Sequence, residues 1–451
     1  MGSFDLVIRG GSVVSHAEIR RADIGIAAGQ IAALESHLNG SAVETIDATG
    51  LHIFPGLIDS HVHFNEPGRT DWEGFASGSR ALAAGGGTLF FDMPLNSSPP
   101  TIDGASFDKK LAAAEARSLV DFALWGGLVP DNLSRLEELS RRGVVGFKAF
   151  MADSGIADFP RADDRTLRAG MKQAARLNKV VAVHAETQEM VTAKTEELLH
   201  AKATSARDYL DSRPIAAELD AIGRALEMAG ETGCALHIVH VSCGAGIALI
   251  ASGRNHGVNV TCETCPHYLT LLEDDVLRIG APAKCAPPLR PKPAQDGLWE
   301  YLKSDQITTI GSDHSPAPPE MKTDANFFKV WGGISGVQHT LALMITEGAE
   351  KRDLPLPSLV RLTSFNVAQR FNLPPTKGRI ALNADADLAL VDLQQRIEVN
   401  SADLLYRHRQ SPYLGRALTG KVVQTILRGQ TVFKDGQIVS KPLGRLIKPT
   451  T

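Results

Sequence analysis

Apolar positions along this chain follow two different rhythms. Over residues 1–53, short runs alternate apolar and polar residues and break at glycine or a polar turn, as in Asp5-Leu6-Val7-Ile8-Arg9 before Gly10-Gly11, Asp23-Ile24-Gly25-Ile26, and Gln30-Ile31-Ala32-Ala33-Leu34. A period of two puts successive side chains on opposite faces, so these runs read as antiparallel strands and hairpins. The tail over 386–451 has the same texture, in Asp387-Leu388-Ala389-Leu390-Val391-Asp392 and Thr431-Val432-Phe433-Lys434-Asp435-Gly436. Both ends together predict one small composite β-domain, sandwich-like, built from 1–53 and 386–451.

The middle, 54–385, reads differently. Apolar runs at 54–59, 87–92, 121–127, 144–150, 180–184, 235–241, 258–263 and 307–312 predict buried strands. Between several of them, segments at 106–119, 165–177, 215–229 and 245–255 have helical patterns. Buried strands separated by crossover segments belong to a parallel sheet, and eight of them predict a closed α/β barrel of the TIM-like (β/α)8 kind. A chain of 451 residues is long enough for such a barrel plus a smaller companion.

Composition narrows the function classes. Hydrophobic residues make up 43% and charged residues 22%, which argues against long disorder. Lys and Arg number 47 against 51 Asp and Glu, so a net charge of -4 offers no general attraction to nucleic acid or an anionic membrane. The expected partner is a small molecule drawn by a local site. No apolar run approaches the ~18 residues of a membrane span, and the first residues lack a basic stretch followed by an apolar core, so a soluble cytoplasmic chain is expected. Five cysteines, an odd number lying in apolar stretches, predict reduced thiols. The single Cys262-Glu263-Thr264-Cys265 has no second such pair to make a zinc finger.

Barrels of this type carry their chemistry where the strands end. Strand one ends in His61 and His63, which point the same way because they are two apart. Strand four contains Lys148 among apolar neighbours, strand five ends in His184 followed by Glu186, strand six ends in His240, and strand eight ends in Asp313. His237 lies three positions from His240 and so faces the other side; His240, nearer the strand end, is the one assigned to the site. Each residue alone has an ordinary structural reading: a core histidine, a lysine snorkelling to the rim, or a helix cap for Asp313 or Glu186. Their joint placement at one rim favours a metal site. His61 and His63 with Asp313 would hold one divalent cation, and His184 with His240 a second.

Lys148 decides how the two are joined. Desolvation favours the neutral amine, which can add carbon dioxide to become a carbamate, a bidentate anion able to bridge two metals. A bridging hydroxide, the carbamate and Asp313 leave a net positive charge on two divalent ions, suited to polarising a carbonyl. Asp313 would accept the attacking hydroxide's proton and pass it to a leaving nitrogen. The reaction class is hydrolysis of an amide-like bond.

At this point the residues resemble the amidohydrolase superfamily in its cyclic-amidase branch. The carrying motifs are Pro55-Gly56-Leu57-Ile58-Asp59-Ser60-His61-Val62-His63, Gly146-Phe147-Lys148-Ala149-Phe150-Met151, Val183-His184-Ala185-Glu186, His240-Val241-Ser242, Glu263-Thr264-Cys265-Pro266-His267-Tyr268 and Ser312-Asp313-His314-Ser315-Pro316. Three families in that branch compete. Dihydroorotases place an arginine where this chain has Asn65, on the continuing strand face. Hydantoinases and dihydropyrimidinases carry a tyrosine where it has Asp153, and a Pro-Asn-Gly loop where it has Trp331-Gly332-Gly333. The runs Asn65-Glu66-Pro67-Gly68-Arg69 and Asp313 to Lys322, followed by the Trp-Gly-Gly loop, are similar to the allantoinase family. That resemblance implies opening of the hydantoin ring of allantoin to allantoate in purine breakdown. It also implies two divalent metals, zinc first and cobalt or manganese as alternatives, and a homotetramer. Substrate contacts carried over by position are Asn65, Cys285, Pro287, Ser315, Gly332 and Gly333, with Ala286 standing where a serine is common. Some relatives keep the barrel, lose the ligands and act as scaffolds; retention of every ligand type here weighs against that reading.

Overall fold

The computed structural model describes residues 4–450; residues 1–3 and 451, part of the two stretches assigned to the β-domain, lie outside the described residues. The amino-terminal strands are β1 (Phe4–Val14), β2 (Ile19–Ala27), β3 (Gln30–Glu35), β4 (Ala42–Asp47) and β5 (His52–Pro55). Nine barrel-forming segments follow: β6 (Leu57–Val62), β7 (Gly87–Asp92), β8 (Asp121–Leu124), β9 (Gly126–Gly127), β10 (Gly146–Phe150), β11 (Val180–His184), β12 (Leu236–Ile238), β13 (Val260–Thr264) and β14 (Thr309–Ile310). The tail contributes β15 (Leu388–Glu398), β16 (Ala417–Leu427), β17 (Gln430–Lys434) and β18 (Gln437–Ile438).

The two ends of the chain share one sheet, in the order β18-β17-β16-β15-β5-β1-β2-β3, with β4 pairing β1. β5 joins the halves, running parallel to β1 and antiparallel to β15. Phe54 and Pro55 therefore belong to this sheet, paired with Ala389 and Leu388, and the first barrel strand begins at Leu57 instead of at residue 54. The chain changes sheets at Gly56, where its backbone presses against Thr88: a Cβ there would lie 2.1 Å from the Thr88 hydroxyl oxygen. An apolar run that continues through both strands hides that change from the sequence.

β6-β7-β8 form one parallel ladder and β9 to β14 another. β8 and β9 are pieces of one strand interrupted at Trp125, whose amide donates to Asp92 O (3.1 Å) and whose indole Nε1 donates to Ser60 O (3.1 Å). The barrel closes between its last and first strands: Val62 bridges His314 in parallel, and His63 N donates to His314 O at 2.8 Å. The sixth and eighth strands are shorter than their apolar runs. His240 and Asp313 lie just past them at φ 39° and 46°, a left-handed conformation uncommon outside glycine, so the backbone turns there and the ladder stops.

Helices appear close to the expected positions, at Gly104–Arg117, Asp164–Arg176, Ile215–Thr232 and Gly244–Asn255. Their starts are set by local chemistry: Asp103 accepts from Ser106 N, and Asp163 accepts from Thr166 N, each satisfying an amide that the first turn leaves free. Aromatic rings fill the barrel's flank, with Phe90 lying 6.0 Å from Phe75 and 6.2 Å from Phe122. Beneath the barrel, buried Lys377 donates to Asp121 and Asp387, each at 2.7 Å, and Arg428 also reaches Asp121. That cluster ties the start of β8 to the tail's sheet. Among the described residues, no helix is long and apolar enough to cross a membrane.

Candidate metal centre

The strand ends deliver the imidazoles of His61, His63, His184 and His240 and the carboxylate of Asp313 to the wall of a cavity of about 610 Å³, while Lys148 is not among its lining residues. His61 Nε2 and His63 Nε2 lie 3.2 and 3.3 Å from Asp313 Oδ1. His184 Nδ1 and His240 Nε2 approach to 3.1 Å. Ring centroids of His61 and His240 are 5.5 Å apart, so the two groups adjoin. Ligand atoms of His61, His63 and Asp313 all lie within 4.8 Å of one another, a spacing that one cation can span.

Carboxylates set the ring orientations. Glu263, on β13, holds His61 Nδ1 at 2.8 Å and also accepts from Ser60 Oγ at 2.7 Å. Glu186 holds His184 Nε2 at 2.7 Å and accepts from Arg213 Nε at 3.1 Å. Each contact fixes one nitrogen and leaves the other facing the centre, the usual outer support of a metal-binding imidazole. Burial pushes the Glu263 and Glu186 carboxyls up. For Glu263 the histidines His61 and His237 outweigh it, and for Glu186 the Arg213 guanidinium and His184 do; both end below the ordinary carboxylate range. Burial also lowers His63 and His184, and lowers His240 furthest, which keeps these rings neutral. Asp313 is drawn down to about 2: burial raises it, but His61 and His63 outweigh burial.

Lys148 is fully buried and its Nζ has no hydrogen-bond partner. Burial lowers its pKa to about 7, although Asp313 and Glu263 pull the other way. A buried cation without an acceptor is costly, and a neutral amine at that place is open to carbon dioxide. The orphaned amine, the facing imidazole nitrogens and the low carboxylate together fit a pair of divalent cations.

The carried-over substrate contacts divide. Cys285, Ser315, Gly332 and Gly333 line the cavity, together with Ala286 and Asp153. Asn65 and Pro287 are not among its walls. The chain turns at Asn65 (φ 64°), so the strand face that carries His61 and His63 does not continue to it, and its amide donates to Pro316 O at 3.2 Å. Pro287 O accepts from Tyr268 at 2.7 Å and is turned into the core. Glu186 does not cap a helix: the helix Gln188–His200 has Thr187 at that position, and Glu186 serves His184. His237 hydrogen-bonds Thr261 at 2.8 Å and is not among the walls either. All five cysteines are free and buried.

Sequence reading gave no role to Asn96, Arg213 and Glu263. Asn96 sits at φ 68° on the cavity wall, with its amide 3.3 Å from His63 Nδ1 and 3.4 Å from Ser315 Oγ. Glu263 was in reach, as the acidic residue of a strand-end motif. Arg213 carried no local signal, since its partner is 27 residues away.

A parallel barrel whose strand ends gather imidazoles, an acid and a buried lysine offers the donor set that metal-assisted hydrolysis requires. The chain belongs to the amidohydrolase family, whose model matches residues 52–432. Over 449 residues it is 56% identical to a protein named allantoinase from Rubrobacter xylanophilus, covering 100% of this chain and 98% of that one. An allantoinase of Deinococcus radiodurans is 52% identical, with 99% of each chain covered. Among solved structures, an L-hydantoinase (dihydropyrimidinase) from Arthrobacter aurescens superposes with a TM-score of 0.96 at 34% identity, covering 99% of this chain and 100% of that one.

Proposed function

We propose that this enzyme opens the hydantoin ring of allantoin by hydrolysis to give allantoate. One observation carries the choice of substrate: proteins named allantoinase are 40–56% identical over nearly the whole chain, against 34% for the L-hydantoinase structure. Asp153, in place of the hydantoinase tyrosine, and Asn65, in place of the dihydroorotase arginine, point the same way.

His61, His63 and Asp313 would hold one divalent cation, and His184 and His240 a second, with carboxylated Lys148 between them; zinc is the first candidate and cobalt or manganese follow. Bound there, the pair would polarise the scissile carbonyl and bring the pKa of a water from 15.7 to about 7. Asp313, drawn down to about 2, is ionised at neutral pH, so its carboxylate is free to accept a proton from the attacking water. As the carbonyl carbon gains the water oxygen, the ring C–N bond breaks, and Asp313 returns the proton to the departing nitrogen. Glu263 and Glu186 keep His61 and His184 in place. The cavity, at about 610 Å³, suits a small ureide. A cytoplasmic homotetramer is part of the proposal, on the strength of the family resemblance.

Parallel assays with allantoin, hydantoin, dihydrouracil and dihydroorotate test it. The expected result is highest kcat/KM for allantoin; preference for any other overturns the assignment. A purified chain holding well under one equivalent of metal after growth in supplemented medium would favour a non-catalytic scaffold.

A further inference from the structure

Two lysines outside the ligand set grip one stretch of backbone in the cavity wall. Lys284 Nζ donates to the carbonyls of Phe327 (2.6 Å), Phe328 (3.3 Å) and Val330 (2.5 Å). Lys322 Nζ donates to those of Trp331 (3.2 Å), Gly333 (2.8 Å) and Ala281 (3.4 Å). An ammonium has three N–H donors and no acceptor, so each side chain is fully spent on backbone. Together they take five carbonyls of the segment 327–333, which has neither helix nor strand to satisfy them.

We infer that Lys284 and Lys322 are positioning residues, a pair of ammonium clamps that hold segment 327–333 as a wall of the substrate cavity and thereby set substrate affinity. Lys284 is 4% exposed, and among the described residues no carboxylate forms an ion pair with either lysine. Burying an unpaired cation is expensive: burial first, and the like charges of Arg213 and Lys322 after it, lower Lys284 to about 7, so its ammonium is held by the backbone carbonyls it bonds. A loop that needed only covering could bond to water, as surface loops do. Charge-assisted hydrogen bonds are roughly twice as strong as neutral ones, so the clamps supply rigidity where the loop has no ladder of its own.

The placement says what the rigidity is for. Val330, Trp331, Gly332 and Gly333 line the cavity on one side; Cys285 and Ala286 line it next to Lys284. Lys284 joins the two walls twice, through its ammonium and through its own carbonyl, which accepts from Gly333 N at 2.7 Å. Tyr209 supports the same corner: its ring lies 4.3 Å beneath the Lys284 ammonium, and its hydroxyl donates to Cys285 O at 2.9 Å. Gly333 has φ +150°, and a Cβ there would lie 2.1 Å from Ser315 O, so this wall is seated directly on the strand end that carries Asp313. Neither ammonium bonds to a ligand residue. Their action is on the wall, not on the bond being broken.

The inference rests on the proposed function only in taking this cavity as the substrate site. It is tested in the full-length, metal-loaded enzyme with Lys322→Met, Lys322→Arg and Lys284→Met. Kinetics are read on whichever of the four cyclic amides the unsubstituted enzyme opens, so a wrong substrate and a wrong clamp give different results. Expected for the Met variants are a KM raised ~10-fold with kcat within about threefold, unchanged metal content, and new protease cleavage within 322–333. Lys322→Arg, which keeps charge and donors, should recover most of the affinity. Unchanged KM in Lys322→Met, or a fall in kcat at constant KM, would overturn the clamp. Lys322 is only half-buried, so that variant decides the matter even where Lys284→Met does not fold.

Discussion

His184 Nδ1 faces His240 Nε2 at 3.1 Å while the other nitrogen of His184 is held 2.7 Å from Glu186. Burial keeps both rings neutral, so the facing edges belong to imidazoles ready to ligate and not to imidazolium ions. Glu186 is in turn anchored by Arg213, which makes the guanidinium the outermost link of a chain ending at the proposed metal position. Arg213→Met should therefore weaken metal retention by roughly 10–100-fold, the usual effect of losing a partner behind a ligand. Competition with a chelator measures it. Equal affinity in the variant would show that Glu186 orients His184 without help.

The His61 side makes a parallel case with a cleaner substitution. Glu263 accepts from His61 Nδ1 and from Ser60 Oγ, so it fixes the ring and the strand end together. Glu263→Gln keeps the shape and can still accept one hydrogen bond, but it removes the charge that favours His61 as a donor. Activity is expected to fall by ~10–100-fold, with added metal restoring part of it. A variant with normal kcat/KM at limiting metal would remove Glu263 from the site.

These outer partners explain what the sequence could and could not reveal. The strands β7 (Gly87–Asp92) and β11 (Val180–His184) matched their apolar runs because a strand buried on both faces is apolar throughout. The candidate ligands could be read as one group because the barrel topology says where strand ends converge. Asn65 was misplaced because strand periodicity was extended past a left-handed turn that asparagine permits and does not announce. Glu263 meets His61 across 202 residues of chain, and Lys284 meets Phe327 across 43. Such pairs arise only when the barrel closes, so no local spacing encodes them.

Lys148 offers the sharpest test of the two-metal reading. It is fully buried, its Nζ has no hydrogen-bond partner, and burial lowers its pKa to about 7 against the pull of Asp313 and Glu263, so an ordinary ammonium there is only weakly favoured. Lys148→Ala should lose metal and reduce turnover by roughly 10³-fold, since a metal polarising a carbonyl is worth several kcal/mol. A short carboxylate added to the assay should restore some activity by taking the carbamate's place. Undiminished turnover in the variant would rule the carbamate out.

His339 makes a prediction about stability that is independent of the metal centre. It is buried in the wall of a second cavity of about 490 Å³, and its Nδ1 has no partner. Burial lowers its pKa from 6.5 to about 4. Between those values the unfolded chain binds the proton more readily than the folded one. The stabilisation from a neutral His339 is thus complete above pH 6.5 and is lost as pH falls toward 4, by on the order of 3 kcal/mol in total. His339→Gln does not titrate in this range. Urea unfolding at pH 7 and at pH 4.5 should show the unsubstituted enzyme losing more stability on acidification than His339→Gln does, so that the gap between them narrows. Parallel losses in the two proteins would mean that His339 keeps an ordinary pKa in the fold.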